Sequence, residues 1–346
     1  MPFMNGHGHS PPLRFYAVWT TPPSTLTPIH RRCLLSVVHH HPESSLTVLS
    51  NSLPLGVLPG SIHIERYSLA ELTAGTPAAS WYAANYHKNQ SRFWHNHESD
   101  LLRLLTLFHR GGIYLDVDVV LVRPVKLTPG CLGAVGLESG RGGKLAAHLA
   151  MVAGAEDAED TAASATSWPA SPSSPPAILC NAVLAVARPG LAILAKAIHR
   201  FIDEYVPYTS GATMLELVAR GEWGAMGPLL LTRLLLPAAT ASTTGAPNRG
   251  LNPLDEICIL ERDAFYPIEP TAAAAYFGPW EPLRDAATWA RIQHRSAAVH
   301  LWNGLTKGVP LACGSLVHRL LEENSGCATA SGAADCPSLP CTQPSS

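Results

Sequence analysis

One segment, residues 99–125, constrains the fold of this chain more than any other. Leucines recur there at helical spacing, a Gly-Gly pair follows, and an apolar strand then runs into Asp116 and Asp118. Side chains at positions i and i+2 of a strand point to the same face, so two carboxylates can share one divalent cation. The segment therefore predicts a helix, a strand and a metal site at the end of that strand.

The predicted helix carries a charged pair, Asp100 and Arg103, three positions apart and beside its apolar stripe. Such pairs are ordinarily surface ion pairs worth about a few tenths of a kcal/mol. Because this helix directly precedes the acidic strand end, we interpret the pair as part of a grip on the polar part of a ligand. Asn96 or Ser99 is expected to cap the helix, and Gly111 to end it.

Composition bounds the class of protein. The chain has 346 residues, 47% of them hydrophobic, enough for one large α/β domain or two small ones. A formal net charge of −2 argues against a nucleic-acid partner. No apolar stretch has the length of a membrane span, and the N-terminus lacks the apolar core of a signal peptide. We expect a chain that is soluble as given, or one that has lost an N-terminal anchor.

Apolar runs and helical spacing predict a parallel sheet at the start of the chain. Strand, helix and strand at this spacing are typical of a βαβ unit. Strands are expected at 15–20, 45–49, 62–66, 113–115, 257–260 and 298–301, and helices at 28–40, 191–205 and 213–220. Residues 224–236 are expected to be a loop that enters a helix, with Pro228 near its first turn. Pro237 is expected to help stop that helix.

Several segments lack the patterns of folded elements. We expect disorder at residues 1–13, in the low-complexity insertion 155–176 and in the tail 324–346. Three of the eight cysteines, Cys327, Cys336 and Cys341, lie in that tail and can pair in an oxidising compartment. The other five are expected to be buried free thiols.

Two further places carry candidate ligand-binding groups. Trp19 ends the first predicted strand, where it either fills the core or stacks on a base. Near the other end of the chain, a short apolar run leads into His300, Trp302, Asn303 and Lys307. Imidazole and amide groups can complete a metal shell or hold phosphate oxygens, and an indole N–H can donate a hydrogen bond.

The stretch SDLLRLLTLFHRGGIYLDVDVVLVRPV resembles the D-x-D region of glycosyltransferases, with Phe108 where they carry a tyrosine before the Gly-Gly pair. Stretches beginning at Asn181, Trp223 and Phe265, and the run that contains His300, are similar to the α-1,4-glycosyltransferase family in the same order. The resemblance covers about residues 15–310. It implies an α/β, GT-A-like fold: a Rossmann-type nucleotide-binding sheet fused to a smaller acceptor-binding part.

The resemblance also implies an activity. It is metal-dependent, retaining transfer of a hexose, galactose or N-acetylglucosamine, from a UDP-sugar to a hydroxyl of a glycan or glycolipid. The domain would span 14–323, with a nucleotide-sugar part at 14–154 and an acceptor side at 177–323. Family members are usually Golgi proteins, which implies the Golgi or secretory lumen.

Residue by residue, the resemblance implies roles for ten side chains. The metal, Mn²⁺ or Mg²⁺, would be bound directly by Asp118 and approached by Asp116 and His300. The remaining roles are Asp116 at the ribose and sugar, Asn181 near the sugar, Asp100 and Arg103 on sugar hydroxyls, Trp19 near the uracil, and Trp302, Asn303 and Lys307 at the diphosphate.

Two alternatives stand beside this interpretation. A haloacid-dehalogenase-like phosphatase shares the strand followed by D-x-D, with Asp116 as nucleophile, but it needs a later acidic pair. We find no Asp-Asp pair and no Gly-Asp-x-x-x-Asp pattern after residue 118, and Asp157 and Asp160 lie in the insertion. An inactive nucleotide-sugar-binding module would be expected to lack one of Asp116, Asp118 or the His300 cluster, and all are present. The transferase is therefore favoured.

Overall fold

The computed structural model describes residues 12–85, 93–126, 131–138, 178–205, 222–241, 257–327 and 336–343. The predicted insertion 155–176, the predicted helix 213–220 and most of the predicted N-terminal disorder lie outside these residues.

A seven-stranded mixed sheet forms the centre of the molecule, in the order β3-β2-β1-β4-β7-β6-β8. Only β7 runs against the others. The strands are β1 Arg14–Val18, β2 Ser45–Leu49, β3 Ile62–Glu65, β4 Gly112–Leu115, β5 Val119–Leu121, β6 Gly133–Leu137, β7 Leu179–Val186, β8 Ile257–Leu260, β9 Ala298–His300, β10 Leu311–Ala312 and β11 Cys341–Thr342. The predicted α/β class is confirmed.

Helices cover both faces of this sheet, each over its own buried apolar cluster. One cluster includes α1 and α10, and the other includes α4, α5 and α7. The helices are α1 Pro28–His40, α2 Leu69–Thr73, α3 Ala78–Asn85, α4 Trp94–Arg110, α5 Ala192–Glu204, α6 Glu222–Ala225, α7 Pro228–Ala241, α8 Pro282–Arg295, α9 Asn303–Thr306 and α10 Leu316–Asn324. None of the helices in the described ranges is both long and apolar enough to cross a bilayer.

Helix α4 has the predicted apolar stripe but begins earlier than expected. It starts at Trp94, after Phe93, and neither Asn96 nor Ser99 caps it. Trp94 is buried in the core, and this packing extends the helix by a turn beyond the local capping signal. Gly111 ends the helix with a φ of 62°, as predicted.

Helix α7 also overrides a local signal. It runs to Ala241, through Pro237, which we predicted as a stop. The buried side chains of Leu230, Leu231 and Leu235 hold this helix on the sheet. Tertiary packing here outweighs the cost of a proline inside a helix.

The tail and the cysteines differ most from expectation. Disulfides join Cys327 to Cys336 and Cys313 to Cys341, and β11 pairs with β10. The prediction of disorder is therefore wrong for residues 325–327 and 336–343, because these covalent ties hold them on the domain. A third disulfide joins Cys131, two residues before β6, to Cys258 on the neighbouring strand β8. Free thiols were predicted correctly only for Cys33 and Cys180.

The strand order explains where a ligand can bind. From β1 the chain goes to β2 on one side, while β4 lies on the other side of β1. The order of strands thus reverses between β1 and β4, and crevices in α/β sheets form at such points, beyond the carboxyl ends of the strands. Trp19 follows β1 and Asp116 follows β4, so both lie at this crevice.

Candidate active site

A cavity of about 640 Å³ opens at the carboxyl ends of β1 and β4. Nine of the ten side chains selected from the sequence line it, and they come from segments spread over most of the chain. They are Trp19, Asp100, Arg103, Asp116, Asp118, Asn181, His300, Asn303 and Lys307. The tenth, Trp302, does not line it.

One wall of the cavity is organised around the side chain of Arg103, which is 5% exposed. Its Nη2 lies 3.3 Å from Asp100 Oδ1 and 3.2 Å from Asp116 Oδ1. Its Nη1 donates to the backbone oxygen of Asn181 at 2.7 Å. We call these residues, together with Ser99 and Tyr114, the guanidinium network.

The other members of the guanidinium network make further contacts with Asp100, Asp116 and Arg103. The Tyr114 hydroxyl donates to Asp116 Oδ1 at 2.7 Å, and the Arg103 guanidinium lies 4.6 Å over the Tyr114 ring. The Asn181 amide donates to Asp100 Oδ1 at 2.8 Å. Arg103 also donates to the hydroxyl and carbonyl oxygens of Ser99, both at 3.3 Å.

Burial and charge act in opposite directions within the guanidinium network. Burial raises the pKa of Asp100, although Arg103 and the Asn181 hydrogen bond oppose it. Burial would lower the pKa of Arg103, but the negative charges of Asp116 and Asp100 raise it above its usual value. Arg103 is therefore a permanent cation that balances two carboxylates.

This arrangement bears on the role expected for Arg103. Most N–H groups of its guanidinium already have acceptors within the protein. Its evident task is to hold Asp100 and Asp116 in place, and direct contact with a sugar hydroxyl stays a prediction.

The other wall is organised around Asp118. Its Oδ2 accepts a hydrogen bond from the backbone N–H of Asn303 at 2.7 Å and lies 3.2 Å from His300 Nε2. Its carbonyl oxygen accepts from the backbone N–H of Leu301 at 2.9 Å. We call Asp118, His300 and Asn303 the Asp118 bridge. Antiparallel pairing of β5 with β9, in which Val119 lies opposite His300, brings these distant segments together.

Trp302 lies in the turn between His300 and Asn303, but its side chain does not line the cavity. Its side chain is fully buried, and its indole N–H donates to the Ile268 carbonyl at 2.9 Å. Its φ of 56° is the only positive value of a non-glycine residue in the described chain. Such backbone costs about 1–3 kcal/mol and persists where packing enforces it. The structure therefore does not bring Trp302 to a diphosphate, because the core takes up its indole.

Asp116, Asp118 and His300 fit a divalent cation. One possible ligand atom from each lies within 4.8 Å of the others. Two carboxylates and an imidazole supply the oxygen and nitrogen atoms that divalent metal ions take as ligands. These residues could thus hold the cation that the D-x-D pattern implies.

Trp19 lines the cavity from within the core. It is 5% exposed, and its ring meets that of His30 edge-on at 5.1 Å. With so little surface open, the core interpretation explains its burial, and proximity to a base stays a prediction.

Three lining or supporting residues were not found from the sequence: His30, Ser99 and Tyr114. A signal existed for Tyr114, which stands two positions before Asp116 on a strand and so points to the same face. Ser99 stands four positions before Arg103, which is one helical turn. No signal marked His30.

The glycine-rich turn before α7 packs directly on the guanidinium network. A Cβ at Gly227 would lie 2.5 Å from Asp100 Oδ1 and 2.5 Å from Asn181 Nδ2. Gly224 and Pro228, on either side, line the cavity. This turn therefore has no room for a side chain at Gly227.

Two family profiles match the chain. One, described as glycosyltransferase sugar-binding region containing DXD motif, matches residues 29–132, and the other, described as alpha 1,4-glycosyltransferase conserved region, matches residues 214–332. Together they cover nearly two thirds of the chain; the first contains Asp100, Arg103, Asp116 and Asp118, and the second contains His300 and Asn303. The chain belongs to the α-1,4-glycosyltransferase family. The mixed α/β sheet agrees with the GT-A-like fold that the resemblance implies.

Relatives within the α-1,4-glycosyltransferase family are distant. The lactosylceramide 4-alpha-galactosyltransferase of Mus musculus is 25% identical, over 80% of this chain and 63% of that protein. That of Homo sapiens is 26% identical, over 79% of this chain and 64% of the human protein. The chain thus spans less than two thirds of the length of these curated relatives. The solved galactosyltransferase LgtC matches 92% of this chain and 97% of its own at 14% identity, with a TM-score of 0.39, too low to argue from.

Proposed function

We propose that this protein transfers a hexose from a UDP-sugar to a hydroxyl group of a glycan or glycolipid, with retention of configuration and with the help of a divalent cation. The observation that carries the proposal is the convergence of Asp116, Asp118 and His300 within 4.8 Å in a cavity of about 640 Å³. Family membership makes nucleotide sugars the natural ligands of that cavity.

The chemistry of such a transfer suits these groups. Departure of a nucleoside diphosphate leaves negative charge on its phosphate oxygens, and a bound divalent cation supplies Lewis-acid stabilisation of that charge. Asp118, Asp116 and His300 would hold the cation, which we expect to be Mn²⁺. The Lys307 ammonium, exposed on the cavity wall, adds a second positive charge at the diphosphate.

The sugar itself would lie against the guanidinium network. Asp100 and Asn181 bond to each other and line the cavity, so their polar atoms can meet sugar hydroxyls. The nucleotide base would lie towards Trp19. No side chain in the D-x-D motif is an obvious covalent nucleophile, and we assign no catalytic base.

Phosphatase chemistry is not favoured. Its nucleophile would be Asp116, yet Oδ1 of that carboxylate accepts from Tyr114 and pairs with Arg103. The acidic residues that line the cavity in the described chain are Asp100, Asp116 and Asp118, and Asp100 is also paired with Arg103. No separate acidic pair is left there to hold Mg²⁺.

Turnover without acceptor tests the proposal. The purified protein with Mn²⁺ should slowly hydrolyse a UDP-sugar, and Asp118→Asn should abolish this hydrolysis. Asp203→Asn, an exposed carboxylate on α5 outside the cavity, is the matched control and should behave as wild type. Release of phosphate from small phosphoesters, without UDP-sugar turnover, would instead support the phosphatase.

The donor is best identified by binding. A ligand that binds only the folded state raises the melting temperature by mass action. The melting temperature should be measured with UDP-galactose, UDP-N-acetylglucosamine, UDP-glucose and GDP-mannose, each with and without Mn²⁺. We expect a metal-dependent rise in the melting temperature with UDP-galactose or UDP-N-acetylglucosamine. A metal-independent shift with all four would contradict a cation-linked site.

The place of action follows from the same family. We propose the lumen of the Golgi or secretory pathway, where acceptor glycans and glycolipids are made. The three disulfides support an oxidising compartment.

A further inference from the structure

The stretch that begins at Phe265 resembles the family, yet the proposed chemistry gives it no role. Tyr266, the second residue of this stretch, is 1% exposed and does not line the cavity. Its hydroxyl donates to the carbonyl oxygen of Cys180 at 3.1 Å and accepts from the backbone N–H of Val183, also at 3.1 Å. This side chain therefore bonds to the backbone of β7 as a neighbouring strand would.

Strand β7 is irregular at this place. Against β6, Val135 lies opposite Leu184, but the next residue, Gly136, lies opposite Cys180. In this register, residues 181–183 lie opposite no residue of β6. Such a β-bulge disrupts the ladder of hydrogen bonds and re-aims side chains. The tyrosine hydroxyl bonds to the chain at both ends of the bulge and so replaces part of the missing ladder.

The bulge brings Asn181 to the cavity. Consecutive residues of a regular strand face opposite sides of a sheet, yet Cys180 and Asn181 both line the cavity. Ala182 and Val183, also consecutive, both belong to the same buried cluster. From this place the Asn181 amide donates to Asp100, and the Asn181 carbonyl oxygen accepts from the guanidinium group.

We propose that Tyr266 is a positioning residue, whose hydroxyl holds the bulge of β7 in the shape that presents the Asn181 amide to the donor sugar. This inference rests on the proposed function. Gly136 makes room for the contact, because a Cβ there would lie 2.7 Å from Cε2 of the Tyr266 ring. Burial raises the pKa of the Tyr266 hydroxyl, so the hydroxyl keeps the proton that it donates.

The ring and the hydroxyl of Tyr266 face different walls of the site. The ring centroid lies 6.0 Å from that of His300 and 5.9 Å from that of Trp302, beside the Asp118 bridge. The hydroxyl bonds to β7, which carries Asn181 into the guanidinium network. Tyr266→Phe therefore removes the hold on Asn181 and keeps the ring that packs beside the cation site.

Tyr266→Phe should affect the sugar and spare the nucleotide. We expect kcat/KM for hydrolysis of the UDP-sugar to fall about tenfold or more, because misplacing a group that orients a reacting substrate is costly. The affinities for UDP and for Mn²⁺, measured by calorimetry, should not change. A merely structural loss would lower all three together.

Tyr276→Phe is the matched control. Tyr276 is also a buried tyrosine, and its hydroxyl lies 3.1 Å from Thr288 Oγ1, away from the cavity. This control should lower the melting temperature, as Tyr266→Phe does, but leave kcat/KM unchanged. Gly136→Ala is a second variant, which keeps the Tyr266 hydroxyl but displaces its ring, and it should reproduce the loss in kcat/KM with UDP affinity unchanged.

A double-mutant cycle with Asn181→Ala shows whether the effect passes through the amide. In that background, Tyr266→Phe should cause no further loss of turnover, measured with enzyme in excess. Additive losses, a kcat/KM in Tyr266→Phe equal to that of the Tyr276→Phe control, or an equal loss of UDP affinity would overturn the positioning role while the proposed function stands. Wild-type protein that neither binds UDP nor turns over a UDP-sugar would overturn both.

Discussion

The two carboxylates of the D-x-D pair lie two residues apart, yet their surroundings are built in different ways. Asp116 belongs to the guanidinium network, whose members come mostly from α4 and the strand that follows it. Asp118 belongs to the Asp118 bridge, whose other members follow 182 and 185 residues later in the chain. One wall is arranged by local chain geometry and the other by long-range strand pairing.

This difference teaches what each wall depends on. The guanidinium network balances buried charges around one cation, so it should be most sensitive to a change of charge or volume at its centre. The Asp118 bridge relies on backbone donors and on the register of β5 against β9, so it should be most sensitive to the turn at Trp302. A cation bound between the walls would join the two.

The largest expected effect follows from Arg103→Met. It leaves the buried Asp100 and the partly exposed Asp116 without their counter-charge, and loss of one partner of a buried ion pair costs about 3–5 kcal/mol. We expect that loss in the free energy of unfolding, measured by urea titration, together with loss of activity.

The control for this variant is a surface pair on another helix. Arg200 pairs with Glu204 at i,i+4 with Arg200 about half exposed, and Arg200→Met should cost at most about 0.5 kcal/mol. Equal costs in the two variants would mean that the guanidinium network is not the buried, charge-balanced unit described above.

A smaller effect is expected from Gly227→Ala. The added methyl group would press on Asp100 and Asn181 at 2.5 Å, and overpacking of this kind costs about 1–3 kcal/mol. We expect UDP-sugar turnover to fall about tenfold or more, because the network moves as a unit.

Gly224→Ala provides the matched comparison in the same turn. Its methyl group would meet only Leu229, at 4.0 Å, so turnover and melting temperature should change far less. If both variants lose activity equally, flexibility of the turn, and not contact with the network, is what matters.

Tyr114→Phe removes one hydrogen bond and leaves the ring under Arg103. Asp116 Oδ1 then loses a hydrogen bond of 2.7 Å, and we expect the free energy of unfolding to fall by about 1 kcal/mol. Because partners that orient metal-ligating groups support binding, Mn²⁺ affinity should fall about tenfold in a calorimetric titration. Unchanged Mn²⁺ affinity would show that the network does not act on the cation.

The guanidinium network was partly predictable from sequence for the same reason that it is local. The helical stripe, the i,i+3 pair and the i,i+2 carboxylates all follow from chain periodicity. Periodicity shows which side chains share a face, but it does not show that Asp100 and Arg103 are buried. That burial comes from β7 and the turn at Gly227, which pack over the helix.

The Asp118 bridge could not be predicted from periodicity. Its contacts depend on the antiparallel pairing of β5 with β9, and no local pattern encodes a partner so far away in the chain. The residue types of the cluster and the family resemblance pointed to His300 and Asn303 without showing their contact with Asp118, and they also pointed to Trp302, whose side chain is buried in the core. The Cys131–Cys258 disulfide escaped prediction for a similar reason, a separation of 127 residues.

The smallest expected effect compares Arg103 with a second arginine on α4. Arg110 forms a paired hydrogen bond with Glu65 at 2.9 and 2.5 Å, with both side chains about a third exposed. Solvent screens such a pair, and we expect Arg110→Met to cost about 0.5 kcal/mol at pH 7.

The stability lost in Arg110→Met should depend on pH, and the direction of that dependence tests whether the pair acts through its charges. The hydrogen bond from Arg110 lowers the pKa of Glu65, so the folded protein binds fewer protons there than the unfolded chain. The stabilisation is therefore present above the unfolded pKa, near 4.5, and is lost as the pH falls through the folded pKa. Urea titrations of wild type and Arg110→Met should differ most at pH 6–7 and converge in acid. A difference that stays the same at all pH values would contradict a charged pair and assign the cost to the packing of the arginine stem.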